Sequence, residues 1–256
     1  MSHSAHFSRI EKESGAEPQL RHHPDRVIPN AASPDSVALS WSGGKDSALA
    51  LWVLAREHGV TPRALITTVT EVYDRISMHG VRRSLLALQA RATGVSLVEV
   101  EIPVMCTNDV YEQRMAAALA SEQLRGVEAF AFGDLFLEDV RAYREERLAA
   151  AGKRACFPLW HRDTASLARE FIAAGFEAII ACVDPRKLDG SFAGRRFDNQ
   201  LLDDLPRGVD PCGENGEFHT FVHAGPILRT PIAVEVGETV ERDGFVFSDI
   251  TKSDGT

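Results

Sequence analysis

Cysteine is sparse in this sequence, and no two cysteines lie close together. Cys106, Cys156, Cys182 and Cys212 are widely spaced, and none belongs to a CxxC pair. That spacing excludes a disulfide framework and a zinc ribbon, and it fits buried thiols in a reducing compartment. Long apolar runs are missing too, which removes a membrane-spanning helix, and the first residues lack the apolar stretch of a secretory leader. Positive charge is in deficit: 28 Lys and Arg stand against 37 Asp and Glu, a net charge of −9. Such a chain is poorly matched to a phosphate backbone. The expectation is a cytoplasmic protein with neither a nucleic-acid nor a membrane partner.

What is present describes a globular chain. Hydrophobic residues make up 44% of the 256 positions and charged residues 25%, enough to bury the core of one large domain or two small ones. Residues 1–35 are polar, carry His3, His6, His22 and His23, and read as a flexible tail. From Ser36 short apolar runs ("SVALSW", "RALITTV", "SLVEVEI", "EAFAF") alternate with helical segments. The first helix carries Ala48, Leu51, Trp52 and Ala55 on one face and ends at Gly59; the second ends at Gly94. Asn108 or Asp109 caps the third, which turns Tyr111, Met115, Ala118 and Leu119 inward and runs to Gly126. Strands alternating with helices imply right-handed crossovers and an open parallel sheet covered on both faces.

The texture changes after Leu135. A charged helix from Glu138 to Ala150, an extended "FPLWHRDT", a helix capped by Asp163 or Thr164 and a strand "EAIIACV" follow in turn. The expected organisation is α/β: a sheet domain over 36–135, a smaller α/β domain over 136–224, and short strands over 225–256. No internal repeat is visible.

One junction carries chemistry. "SWSGGKDSALALW" joins the first strand to the first helix, at the edge of an open α/β sheet where ligands bind. Gly43 and Gly44 let successive amides turn toward one anion, and the helix start adds free N–H groups and the positive end of its dipole. Ser42 and Ser47 offer hydroxyls, and Lys45 a full charge. Asp46 either helps hold magnesium or orients the lysine. A Walker A loop is excluded, because Leu39 stands where it needs a glycine and Asp46 follows the lysine in place of Ser or Thr. A GxGxxG turn is absent.

"SGGKDS" resembles the PP-loop of the N-type ATP pyrophosphatases, and the later segments "GDLFLEDVRAYREERL", "FPLW", "FIAAGFEAIIACV" and "GVDPCGENGEFHTFV" resemble, in that order, the diphthine–ammonia ligase family. The resemblance spans roughly residues 36–226. It implies a Rossmann-like PP-loop fold that binds ATP with Mg2+, splits it between the α and β phosphates, and joins ammonia to a carboxylate substrate through an acyl-adenylate. It implies that Ser42, Gly43, Gly44, Lys45, Asp46 and Ser47 hold the pyrophosphate portion, with Asp46 on the metal. It points to Gly133, Asp134, Arg141 and Glu145 in the second motif, and to Gly213, Glu214, Gly216 and Glu217 in the last. His79 in "SMHG" corresponds to a loop near the nucleotide, and the backbone around Thr67 to the strand end that reads adenine.

The residues bear two readings each. Asp134 reaches a magnesium or a ribose, or caps a turn; Arg141 and Arg144, at i and i+3, face the nucleotide or the substrate carboxylate, or the solvent, which is the preferred reading for Arg144. Glu214 and Glu217 aim carboxylates into a cleft, where an amine nucleophile needs proton acceptors, or sit in an acidic surface loop. Where the family more often has glycine, tyrosine and glutamate, this chain has Asn215, Phe218 and His219. These departures open a second reading, in which the acceptor is a carboxylate other than diphthine, for example in cobalamin salvage. A third is a nucleotide-binding regulator without turnover.

Overall fold

The computed structural model describes residues 36–70, 75–76 and 80–253. In chain order its elements are β1 (Val37–Ser40), α1 (Lys45–His58), β2 (Ala64–Thr70), β3 (Arg75–Ile76), α2 (Arg83–Thr93), β4 (Ser96–Ile102), α3 (Asn108–Leu119), β5 (Ala129–Ala131), α4 (Glu138–Ala150), β6 (Arg154–Cys156), α5 (Thr164–Ala173), β7 (Glu177–Val183), α6 (Asn199–Asp204), β8 (Phe218–Ala224), β9 (Val234–Arg242) and β10 (Phe245–Lys252). Strands β4, β2, β1, β5 and β6 lie side by side, all parallel, and the short β3 pairs antiparallel with the end of β2. A second, antiparallel sheet has the order β8-β7-β10-β9. The expected open parallel α/β sheet with a smaller second unit is therefore what forms.

Strand alternation sorts the core. Val37 and Leu39 of β1 share one cluster with Leu65, Ala129 and Ala131, while Ala38 shares another with Ile66, Val98 and Phe130. The second cluster is closed by the inner face of α3, where Tyr111, Met115, Ala118 and Leu119 pack as the spacing requires. The first runs on through α1 and α2 into α5, β7 and β8, so it continues from the parallel sheet into the second unit.

Helix α1 lies at that junction, and this corrects the one-faced reading of it. Leu49, Ala50, Val53 and Leu54 are buried along with Ala48 and Leu51, whereas Ala55 is exposed. A helix covered from more than one side needs apolar residues beyond a single stripe. Two further boundaries differ. Thr107 caps α3, accepting a hydrogen bond from the Val110 N–H, and the helix ends at Leu119 before a short 3-10 turn, ahead of Gly126. Strand β6 lies just before the extended "FPLWHRDT" segment and joins the parallel sheet beyond residue 135; β9 and β10 pair into the sheet of β7 and β8.

Candidate active site

The Ser42–Ser47 turn leaves the end of β1 as expected. Gly43 adopts φ +75°, a left-handed conformation that suits glycine, and Gly44 is the N-cap of α1. Because Gly44 has no side chain, the cap residue offers no acceptor to the first-turn amides, and Thr220 Oγ1 on β8 takes the Lys45 N–H in its place. Ser42 and Ser47 face each other across the turn with their hydroxyls 3.3 Å apart, and Ser47 donates to the Gly44 carbonyl at 2.9 Å.

Lys45 is only 4% exposed. Its ammonium donates to both oxygens of Asp46, at 3.0 and 2.8 Å, and to the Cys212 carbonyl, above the rings of Phe218 and Phe197. Burial pulls its pKa down, but Asp46, joined by Cys212 and Glu214, more than offsets this, so Lys45 stays charged with its pKa above the ordinary lysine value.

The segment around residues 210–217 brings in the last motif. Asp210 organises it, accepting from the N–H groups of Cys212 at 2.9 Å and Glu214 at 3.2 Å. Glu214 then reaches the sheet edge, where its Oε1 accepts the Leu135 N–H at 2.7 Å. Burial pushes its pKa up to about 7; the Leu135 N–H opposes this and the charge of Asp46 adds to it. Glu217 does otherwise. It is 4% exposed and its Oε1 accepts from the Asp210 N–H and the Asn215 amide, both at 3.1 Å. Its Oε1 thereby ties the segment together from inside, while its Oε2 is buried without a hydrogen-bond partner among the described residues.

The second motif supports the loop from below. Gly133 leaves β5 so close to α1 that a Cβ there would lie 2.8 Å from the Asp46 carbonyl. Asp134 is paired with Arg144, Oδ1 to Nη2 at 3.1 Å and Oδ2 to Nε at 2.8 Å, while the guanidinium stands 4.3 Å from the Phe132 ring centre. Arg144 is thus held, correcting its reading as a solvated residue, and Asp134 spends its charge on it. Arg141 donates to Glu145 at 2.8 Å and stacks over Trp160 and Phe157, at 4.9 and 5.3 Å, on the wall of a shallow depression of about 300 Å3.

Thr67 lies within β2 with its side chain buried. Ile66 gives its carbonyl to the Trp41 N–H, so by strand alternation it is the peptide group of Thr68, not Thr67, that points past the end of β1. His79 falls outside the described residues. Of the family departures, Phe218 packs beneath Lys45. His219 alternates to the other face of β8 from Thr220, and burial, with the charges of Lys45 and Lys187, lowers its pKa to about 4.

Three contributors escaped sequence reasoning. Thr220 Oγ1 accepts the Lys45 N–H at 2.9 Å, the Leu135 N–H holds Glu214, and Gln89 on α2 touches the loop directly. The only signal for Gln89 is one amide on an otherwise Leu- and Ala-lined helix face.

Comparison with known proteins agrees along the chain. Family models described as diphthamide synthase N-terminal domain and diphthamide synthase C-terminal domain match residues 35–161 and 163–254. Proteins named diphthine–ammonia ligase from Rattus norvegicus and Homo sapiens are 26% and 25% identical over 235 residues, spanning 84% of this chain and 88% of each relative. The protein of that name from Danio rerio is 32% identical over 100 residues, 36% of this chain and 38% of the relative.

Proposed function

The chain belongs to the diphthamide synthase family, and from that membership we propose that it adenylates a substrate carboxylate with ATP and passes the activated acyl group to ammonia. It is an enzyme of the ATP-dependent class that forms carbon–nitrogen bonds. The observation that carries the finer reading is the charged, buried Lys45 at the glycine-capped start of α1, with Glu214 brought to the same sheet edge.

In the first step a carboxylate oxygen attacks the α phosphorus, and the bond to the bridging oxygen breaks as pyrophosphate leaves. The loop amides and Lys45 receive the departing charge. In the second, ammonia attacks the acyl carbon, AMP leaves, and the proton shed by nitrogen passes to a carboxylate, for which Glu214 is suited. Little of this requires a protein nucleophile; positioning and fixed charge supply the acceleration. Magnesium, when bound, neutralises phosphate charge. Among the described residues no three His, Cys, Asp or Glu side chains form a metal cage, but an ion that shares phosphate oxygens needs only one or two carboxylates, and Asp46 at the loop fits that role.

The test is product identity. With ATP labelled at the α and γ positions, and ammonium plus a panel of carboxylate acceptors, the enzyme should release AMP and pyrophosphate only with its acceptor. Formation of ADP and orthophosphate would refute the adenylation step. ATP binding without acceptor-dependent AMP across the panel would favour the regulator reading.

Glu214 supplies a second expectation. Its carboxyl titrates near pH 7, so it is protonated below that pH and able to take a proton above it. The kcat/KM profile should therefore rise through about pH 7, and Glu214→Gln should lose that limb with a rate lower by about 100-fold. The linkage sign is fixed as well. The folded state holds this proton more tightly than the unfolded chain, so the contribution to stability declines from the ordinary carboxylate range up to about pH 7 and is flat above it. A limb that persists unchanged in Glu214→Gln would assign the titration to another group.

A further inference from the structure

Gln89 is completely buried, on a face of α2 that otherwise carries Leu85, Leu86 and Ala90 into the core. Burying an amide is costly unless its hydrogen bonds are made, and here they are. Its Nε2 donates to the Gly43 carbonyl at 2.9 Å and to the Val222 carbonyl at 2.6 Å, and its Oε1 accepts the Trp41 indole N–H at 3.2 Å. The Gly43 carbonyl also accepts the Val222 N–H at 2.9 Å. One side chain thus joins three elements: the segment entering the phosphate loop, the loop itself, and β8 of the second sheet. The fit leaves no slack, since a Cβ on Gly43 would lie 2.5 Å from the Gln89 Oε1.

We propose that Gln89 is a positioning residue for the phosphate loop, holding the Gly43 carbonyl toward β8 and so setting the peptide that carries the Gly44 N–H, which the Ser42 hydroxyl accepts at 3.3 Å, in the turn that would meet the pyrophosphate portion of the nucleotide. A peptide plane is rigid, so fixing the carbonyl of residue 43 fixes the N–H of residue 44 on its opposite side. The following residue is anchored from the same strand, because the Lys45 N–H is held by Thr220. β8 follows directly on the segment that carries Glu214, and Gln89 therefore also ties the loop's position to the second motif-bearing unit. The inference rests on the reading of the loop as the pyrophosphate site.

Calorimetric binding of three probes tests it: ATP, inorganic pyrophosphate and AMP, the last lacking the part that the loop would hold. In Gln89→Leu, which keeps the volume and removes the amide, affinity for ATP and pyrophosphate should fall about tenfold or more while AMP affinity stays within twofold. Because this variant strands the Trp41 indole N–H, Trp41→Phe/Gln89→Leu is measured beside it. The double variant should regain melting temperature without regaining pyrophosphate affinity. A purely structural Gln89 predicts the reverse: lower melting temperature with an unchanged ratio of ATP to AMP affinity, which overturns the proposal. Failure of both variants to fold assigns Gln89 to stability alone and overturns it as well. Wild-type protein that binds neither ATP nor pyrophosphate refutes the loop reading itself, and this inference with it; wild-type binding with an unaltered Gln89→Leu profile refutes only the inference.

Discussion

Lys45→Ala should reduce acceptor-dependent AMP release by about a thousandfold, the upper range for removing one preorganised donor from developing charge. The lysine is poised for this loss to be large. It is buried, so its field is little screened by water, and the carboxylate of Asp46 keeps it charged. Before nucleotide arrives, its ammonium is partnered by Asp46 and the Cys212 carbonyl. Binding of pyrophosphate oxygens therefore exchanges existing partners for a stronger one and leaves no bare charge at any stage. In Lys45→Ala that exchange is impossible, and Asp46, whose pKa burial raises, loses the cation that opposes that shift. Pyrophosphate affinity should fall alongside the rate, while AMP binding should change little. AMP release within threefold of wild type would mean that the leaving group is held elsewhere and that the loop assignment is wrong.

The loop was legible because its signal is local. Two glycines, a lysine and a helix start lie within six residues, and the turn they predict forms, with Gly43 in the left-handed region and Gly44 capping α1. Most of the parallel sheet was legible for a similar reason: β1, β2, β4 and β5 each lie in a short apolar stretch bounded by a glycine or proline. What escaped was set by contacts distant in sequence. Gln89 meets Gly43 and Val222 across 46 and 133 positions, and no periodicity marks it. Glu214 and Glu217 look alike in "CGENGEF", yet one reaches the Leu135 N–H while the other turns in to Asp210 and Asn215. Strand β6 is three residues long, too short for a period-two pattern. Arg144 read as solvated because helix spacing says nothing of Asp134, ten residues back, or of the Phe132 ring.

Gly133→Ala should disable the site through packing alone. Residue 133 carries no functional group, and its φ is not in the left-handed region, so backbone strain is not at issue. The obstacle is contact. A methyl there would stand 2.8 Å from the carbonyl carbon and oxygen of Asp46 and 3.0 Å from the Ser47 nitrogen, all backbone atoms of the first turn of α1. These cannot swing aside as a side-chain tip can; either α1 or the end of β5 must shift. Overpacking of this kind costs about 1–3 kcal/mol. At roughly 2–4 °C per kcal/mol for a chain of this size, the melting temperature should drop by several degrees. The loss of activity should be larger than that drop suggests, because the displaced atoms are peptide groups of the proposed pyrophosphate site, and misplacement by about 1 Å costs on the order of 100-fold. Gly152→Ala is the control. That glycine has φ +67° and nothing within 4 Å of its added Cβ, so the substitution strains the backbone but leaves the loop untouched. If both variants lose stability and activity in the same proportion, close packing of β5 against α1 has no special bearing on catalysis. If Gly133→Ala alone loses nucleotide binding while still folded, the narrow gap between strand end and helix start is what keeps the phosphate loop in shape.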